Sequence, residues 1–527
     1  MSGFQQAQRW PAAVPQLHDY LIAAAGRLPA KVALVCDGHR LTYAEIDARS
    51  NALAHALVRR GVGRGDRVVV FADNTVETVV SFWGVLKANA VVAIVNSQTR
   101  SDKLAHLLND CRAAALITDA RHTATFAAAA DGSPHLRSVI ISGAIDESCA
   151  AHLPQVSGWD EALAPGPRDA GPPRLNLDID LAAIVYSSGS TGDPKAIMLT
   201  HRNMLTAATS ISIYLENVED DVILDVLPLS LTYGLYQLIT AARVGARLVL
   251  ERSFVYPAEV LKRVAEEGVT GLPGVPTMFA LLGEMKTLHE YDFSKLRYVT
   301  NAAAALPVKH IRMLQALLPA AKIYSMYGQT ECARGTYLPP EDLDRKPTSI
   351  GIAPPNTEIW LVDEHDHKLG PNQVGQLVIR GATVMKGYWE RPEATAERLR
   401  PGPLPGEFVL YTGDYGRFDE DGYLYFVSRM DDIIKSRGEK VSPREVENAL
   451  VDIPGVKEAA VIGVPDPILG QAVKAFVILE QGAALTEKAV QLECGKRLEA
   501  FMVPKKVVFV SDLPRTSGGK IKKTDLG

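Results

Sequence analysis

The sequence predicts an α/β fold, with a large N-terminal part built on parallel sheet and a small α+β part at the C-terminus, on three observations. First, the apolar run Val68, Val69, Val70 and Phe71, a helical stretch from Val79 to Leu86, and a second apolar run from Val91 to Val95 follow one another as strand, helix, strand. That is the unit of a parallel sheet, and it recurs more loosely to about residue 330. Second, from about Ile350 the texture changes to short alternating segments punctuated by Gly and Pro, such as Gln376-Leu377-Val378-Ile379-Arg380 and Tyr423-Leu424-Tyr425-Phe426, which predicts a small antiparallel, barrel-like piece. Third, the chain restarts after residues 429–432 with a strand-like Ile433-Ile434 and a turn at Gly438. The expected division is therefore residues 1–429 and 430–527, the second of ordinary small-domain size.

Two helix starts are explicit. Thr42-Tyr43-Ala44-Glu45 has capping-box spacing, and Ile46, Leu53 and Leu57 then share one face until Gly61. Ser442-Pro443-Arg444-Glu445 places Ser at N-cap, Pro at N1 and Glu at N3. The Gly- and Pro-rich stretch 400–406 reads as a surface loop.

Length and composition narrow the class. At 527 residues with 47% hydrophobic and 22% charged side chains, the chain is neither disordered, collagen-like nor a disulfide scaffold, and it is too long for a single core. Its net charge of −5 argues against a nucleic-acid partner. The five cysteines are scattered with no C-x-x-C pair, which points to reduced thiols. No apolar run long enough for a membrane span and no signal-peptide pattern is found, so a cytoplasmic location is expected. Charge is uneven, however: Cys494 to Gly527 carries eight Lys or Arg against three Asp or Glu.

Tyr186-Ser187-Ser188-Gly189-Ser190-Thr191-Gly192-Asp193-Pro194-Lys195 follows an apolar strand and gathers hydroxyls, two glycines and a lysine into one turn. Close backbone N–H groups, hydroxyl donors and one cation suit a polyphosphate. Gly189 and Gly192 are too close for a Walker-type loop, and Ala196 follows the lysine. The segment resembles the signature of the adenylate-forming superfamily, and further resemblances follow in that family's order. They are Tyr327-Gly328-Gln329-Thr330-Glu331, Tyr411-Thr412-Gly413-Asp414, Gly422-Tyr423 through Arg429-Met430-Asp431-Asp432-Ile433-Ile434-Lys435, and Pro514-Arg515-Thr516-Ser517-Gly518-Gly519-Lys520.

The resemblance implies ATP and Mg²⁺ as cofactors and attack of a substrate carboxylate on the α-phosphorus. A carboxylate is already ionised at neutral pH, so fixed donors and cations, rather than a general base, are what the step needs. By resemblance, Ser187, Ser188, Gly189, Ser190, Thr191, Gly192 and Lys195 would hold the β- and γ-phosphates. Thr330 would bond the α-phosphate, Glu331 with Thr191 would hold Mg²⁺, and Tyr327 would stack on adenine beside Gly328, Ala303 and Ala304. Asp414 would take the ribose diol with help from Arg429, and Lys520 would bridge the attacking carboxylate and the phosphate. Asp431 matches the hinge of a mobile C-terminal domain. Its second state would bring the loop Ser436-Arg437-Gly438-Glu439-Lys440 to line a pantetheine tunnel, with Lys435 and Lys440 as further catalytic candidates, which implies CoA or a phosphopantetheinylated carrier protein as acceptor. A homodimer is left open.

The acyl pocket by the same resemblance is Leu231, Thr232 and Tyr233 with Ala302 and Met326. Amino-acid-activating relatives have Asp where Thr232 stands, and an α-ammonium buried without a partner is costly. Thr232 therefore favours a non-amino acid. Asn301-Ala302-Ala303-Ala304-Ala305-Leu306 stands where the family has Ser-Gly-Gly/Ala-Ala-Pro-Leu, and an alanine in place of a pocket-facing glycine adds a methyl to the wall. The expected activity is an AMP-forming acid:CoA ligase, with a stand-alone adenylation enzyme that loads a carrier protein as the alternative. His201 reads as structural and His365-Asp366-His367 as an exposed turn, since no third ligand is in sequence reach.

Overall fold

The structure is a computed structural model that describes residues 16–145, 151–187, 194–432, 434–436, 439–467, 469–515 and 521–526. The chain forms two compact units, one from residues 1–273, 290–298 and 382–392, the other from 274–289, 299–381 and 393–527.

The first unit holds an eight-stranded sheet. Its order is Gly387–Tyr388, Lys195–Thr200, Leu181–Ser187, Val91–Val95, Arg67–Phe71, Ala113–Asp119, Ser138–Ser142 and Val156–Gly158. The strand, helix, strand reading is met by Arg67–Phe71, the helix Val76–Lys87 and Val91–Val95, with the two strands parallel in the register Arg67↔Val91 to Phe71↔Val95. All five residues of Val91–Val95 are buried, as expected of a strand covered on both faces. Val69, Phe71, Leu104, Leu116, Phe126 and Val139 are among the core residues that cover it. Lys195–Thr200 and Gly387–Tyr388 are antiparallel additions at one edge. In a second sheet of the same unit, Val222–Asp225, Arg247–Leu250 and Val32–Cys36 run parallel and His39–Thr42 closes a hairpin.

The helix Tyr43–Arg59 starts on the capping box the sequence announces. The Glu45 N–H donates to Thr42 Oγ1 at 3.2 Å and the Thr42 N–H to Glu45 Oε2 at 2.7 Å. This helix packs against Val76–Lys87 at Gly84, where a β-carbon would lie within 3.0 Å of the Leu53 side chain. At the end of that contact Lys87 is buried, and its ammonium donates to Asp47 Oδ1 (2.6 Å), Ser50 Oγ (2.8 Å) and Asn51 Oδ1 (2.7 Å).

In the second unit, Thr357–Val362, Val374–Gly381, Phe408–Phe418, Leu399–Pro401 and Leu424–Arg429 make the antiparallel, barrel-like sheet. Leu377, Val378 and Ile379 are all buried, so the alternation read there corresponds to a strand covered on both faces. The stretch expected to be a loop begins instead with the short strand Leu399–Pro401. Towards the C-terminus, the helix Pro443–Val451 starts as predicted, with the Glu445 N–H donating to Ser442 Oγ at 3.3 Å. Its Val446 and Leu450 join Val461, Val473, Val477 and Val490 in a core of their own. Among the described residues no helix is long and apolar enough to cross a membrane.

Candidate active site

In the second unit the strand Lys322–Tyr327 ends in the turn that carries Gly328, Gln329, Thr330 and Glu331. A β-carbon at Gly328 would collide with the Ala333 carbonyl, so this turn requires glycine. Thr336–Leu338 returns antiparallel to it, pairing Tyr327 with Thr336. Asp414 projects from the middle of Phe408–Phe418, next to Gly413, whose left-handed backbone (φ +70°) glycine adopts without strain.

These two segments meet at Asp414, which is buried. Its Oδ2 accepts from the Tyr327 hydroxyl at 2.6 Å and from the Gln329 side-chain amide at 2.6 Å. The same amide also donates to the Thr412 carbonyl at 3.0 Å. Arg429, paired opposite Asp414 across the hairpin, has its Nε 3.7 Å from Asp414 Oδ1. Burial first, and then the neighbouring Asp414 carboxylate, push the Tyr327 phenol well above its ordinary range, so it stays a donor. The Tyr327 ring is tilted against Phe426 at 6.2 Å. The result is an oriented anion with a cation at one side and two neutral donors at the other, an arrangement suited to accepting from vicinal hydroxyls.

Ala302 and Met326 are buried in the same unit. Ala303 follows with φ +73°, left-handed backbone that glycine adopts at no steric cost. Asn301 ties this turn together by donating to the Ala304 carbonyl at 2.9 Å.

In the first unit Leu181–Ser187 and Lys195–Thr200 form an antiparallel hairpin, with Ser187 opposite Lys195. Ser188, Gly189, Ser190, Thr191 and Gly192 lie outside the described residues. The Lys195 ammonium sits 5.3 Å from the centre of the Tyr388 ring. Leu231, Thr232 and Tyr233 form the entry to the helix Thr232–Val244, and Thr232 and Tyr233 are buried there. Asp225 precedes that segment fully buried. Its Oδ1 accepts the Leu227 N–H at 2.9 Å, and burial pushes its carboxyl well up, towards the neutral form.

Of the remaining sequence-predicted residues, Lys520, Arg437 and Gly438 lie outside the described residues. The backbones of Lys435, Glu439 and Lys440 form the short hairpin of Ile434–Ser436 and Glu439–Val441, and Asp431 lies in the single turn Met430–Asp432. The sequence reading gave no role to Gln329, although it stands inside a quoted motif. Nor did it single out Asn74 or Asp225, which carry no motif signal at all.

Comparison with known proteins identifies the family. The model of the AMP-binding enzyme family matches residues 21–389, and that of the AMP-binding enzyme C-terminal domain matches 445–520. A long-chain-fatty-acid–CoA ligase of Salmonella typhimurium is 32% identical, with 98% of this chain and 97% of that protein covered. A feruloyl-CoA synthase of an Amycolatopsis species is 33% identical, covering 97% and 98%. The crystal structure of ATP-bound MatB from Rhodopseudomonas palustris superposes with a TM-score of 0.86 at 29% identity, over 97% of this chain and 98% of that one. The chain therefore belongs to the AMP-binding enzyme family, as an ATP-using enzyme of the AMP-forming acid:CoA ligase type.

Proposed function

We propose that the acid is a non-amino carboxylic acid, aliphatic or aromatic and of small to medium size. Its carboxylate oxygen attacks the α-phosphorus of ATP, the bond to pyrophosphate breaks, and the acyl-adenylate forms. The CoA thiol then takes the acyl group and AMP leaves. The observation that carries this choice of acid is the segment 227–234. It contains no acidic side chain, Thr232 is buried at the helix start, and the nearby Asp225 is bonded to backbone and driven towards neutrality. An α-ammonium would find no anion there, and burying it unpaired is costly.

In this reading Asp414 accepts from the ribose hydroxyls alongside Tyr327 and Gln329, since a carboxylate offers roughly four acceptor positions. Ala303, Ala304 and Gly328 flank the adenine, Thr330 bonds the α-phosphate, and 187–195 take the outer phosphates. Mg²⁺ would be held by Glu331 and Thr191 and would neutralise phosphate charge. Among the described residues no group of three His, Cys, Asp or Glu is arranged to hold an ion. That suits a cation bound through one carboxylate and substrate phosphates. Lys520 bridges carboxylate and phosphate in the first half-reaction. Residues 430–527 then turn about Asp431 to present 436–440 to the thiol.

The test is pyrophosphate release across a panel of acids that includes proline and benzoate, with thioester formation measured on CoA and on a phosphopantetheinylated carrier protein. Lys520→Ala is expected to abolish pyrophosphate release while sparing transfer from pre-formed acyl-adenylate to CoA. Equal loss of both steps would sink the two-state assignment. Release with proline alone would overturn the choice of acid, and a preference for the carrier protein would replace CoA as acceptor.

A further inference from the structure

Between the strand Arg67–Phe71 and the helix Val76–Lys87, which belong to one sheet of the first unit, the connection Asp73-Asn74-Thr75 lies against the segments that leave Val222–Asp225 and Arg247–Leu250 of the other sheet. Asn74 is buried, and its side chain is spent on the second sheet. One amide nitrogen donates to the Leu227 carbonyl at 2.9 Å and to the Glu251 carbonyl at 3.0 Å, while the amide oxygen accepts the Leu229 N–H at 3.0 Å. Three of the four bonds an asparagine side chain can make are thus committed to backbone, two of them to the single turn 227–231. The donor itself is fixed at both ends. The Cys36 thiol lies 3.8 Å from the Asn74 carbonyl, and Thr75 caps the following helix by accepting the Thr78 N–H at 3.3 Å.

The turn Asn74 holds has no slack towards the helix it feeds. Asp225 takes the Leu227 N–H, and the Leu231 N–H donates to the Pro228 carbonyl at 3.0 Å. Gly234, in the first turn of Thr232–Val244, sits so close that a β-carbon would lie 2.6 Å from the Pro228 oxygen and 2.7 Å from the Leu227 oxygen. Backbone packed against backbone transmits a displacement rather than absorbing it. A shift at Leu227 or Leu229 therefore moves Leu231, Thr232 and Tyr233.

We propose that Asn74 is a positioning residue for the acid pocket, fixing the turn 227–231 and through it the placement of Leu231 and Thr232 that selects the acid. This rests on the assignment of Leu231–Tyr233 to the pocket wall. Asn74 touches neither nucleotide nor acid in this account; it acts through the turn.

The experiment measures steady-state pyrophosphate release with the full chain on straight-chain and aromatic acids. Asn74→Ala is expected to raise the KM for the preferred acid about tenfold, the effect of losing the two buried hydrogen bonds that hold the turn 227–231. The KM for ATP should stay within about twofold, and discrimination between the best and second-best acids should flatten. An unchanged acid KM, or acid and ATP KM rising together, would overturn the proposal. Should Asn74→Ala not fold, Asn74→Ser, whose hydroxyl is too short to span both contacts, reads the same split. Leu231→Phe is run in parallel. If it leaves acid preference unaltered, the pocket assignment fails and the role of Asn74 with it. If it alters preference while Asn74→Ala does not, only the role of Asn74 falls.

Discussion

Asp414 shows how little of a site a single motif residue explains. Its carboxylate is aimed by a phenol and an amide that approach the same oxygen, Oδ2, each at 2.6 Å. Bonds to a charged acceptor are stronger than neutral ones, about 1.5–3 kcal/mol each. Tyr327→Phe removes one donor and keeps the ring, so the KM for ATP should rise about tenfold with the acid KM unmoved, read by pyrophosphate release at saturating acid. The motif containing Tyr327 was legible as sequence, and so was the acidity of Asp414. That the tyrosine hydroxyl serves the aspartate was not legible, because the two stand 87 positions apart and only the fold brings them together. Ala303 differs in kind. The resemblance puts either glycine or alanine at this place, and the structure adds that its backbone occupies the left-handed conformation that glycine adopts at no steric cost.

At the level of elements, local signals were the most readable. Thr42 with Glu45 and Ser442 with Glu445 start helices where their spacing says they should, because a cap is satisfied within four residues and needs no tertiary context. The strand Val374–Gly381 was legible as a strand, but not as one buried on both faces, since the burial of Leu377, Val378 and Ile379 depends on segments distant in sequence. Lys87 was equally invisible. A lysine at a helix end reads as a favourable charge near the carbonyl terminus, yet here it is enclosed. Burial lowers its pKa, and Asp47 works in the opposite direction. Lys87→Ala would leave Asp47, Ser50 and Asn51 without their common donor at the junction of two helices. The expected cost is ~3 kcal/mol of stability, measured as a lower denaturation midpoint with little change in the KM for either substrate.

For the whole molecule, parallel α/β architecture followed by a barrel-like sheet and a small C-terminal piece was readable from texture alone. The pairing order of the strands was not, because periodicity reports burial and not partners. The stability of the whole should also carry a pH signature that no motif announces. His18 and His201 are buried with their rings edge to face at 6.2 Å, and the Leu17 N–H donates to His201 Nδ1 at 3.1 Å. Burial lowers both, His201 to about 4 against the upward pull of Asp180, and His18 well below its ordinary value with the charge of His201 adding to the effect. Both are neutral in the fold and free to ionise near ~6.5 once unfolded, so the unfolded chain binds more protons. Stability is complete above about 6.5 and falls as the pH drops towards 4, by about 1.4 kcal/mol per pH unit for each histidine. Denaturation midpoints between those limits should show this slope, and His201→Asn should roughly halve it. A flat profile would contradict the burial of the pair as neutral rings.

The eight-stranded sheet also fixes an order of events during synthesis. Its edge strand Gly387–Tyr388 pairs with Met198 and Ile197, and Trp389 reaches back to donate from its backbone to Ala196 and from its indole to Asp110. Asn203 completes the seam by holding the carbonyls of Ala382 and Val384 at 2.8 Å each. On a ribosome adding roughly 5–20 residues per second, Lys195–Thr200 therefore emerges on the order of ten seconds before the strand that will cover it. Through that interval the apolar edge of the hairpin formed by Leu181–Ser187 and Lys195–Thr200 is an open template for strand addition. A chaperone that shields nascent edges would matter most for this protein while residues 200–380 are being made, and truncations ending in that window should aggregate where those ending past Trp389 do not.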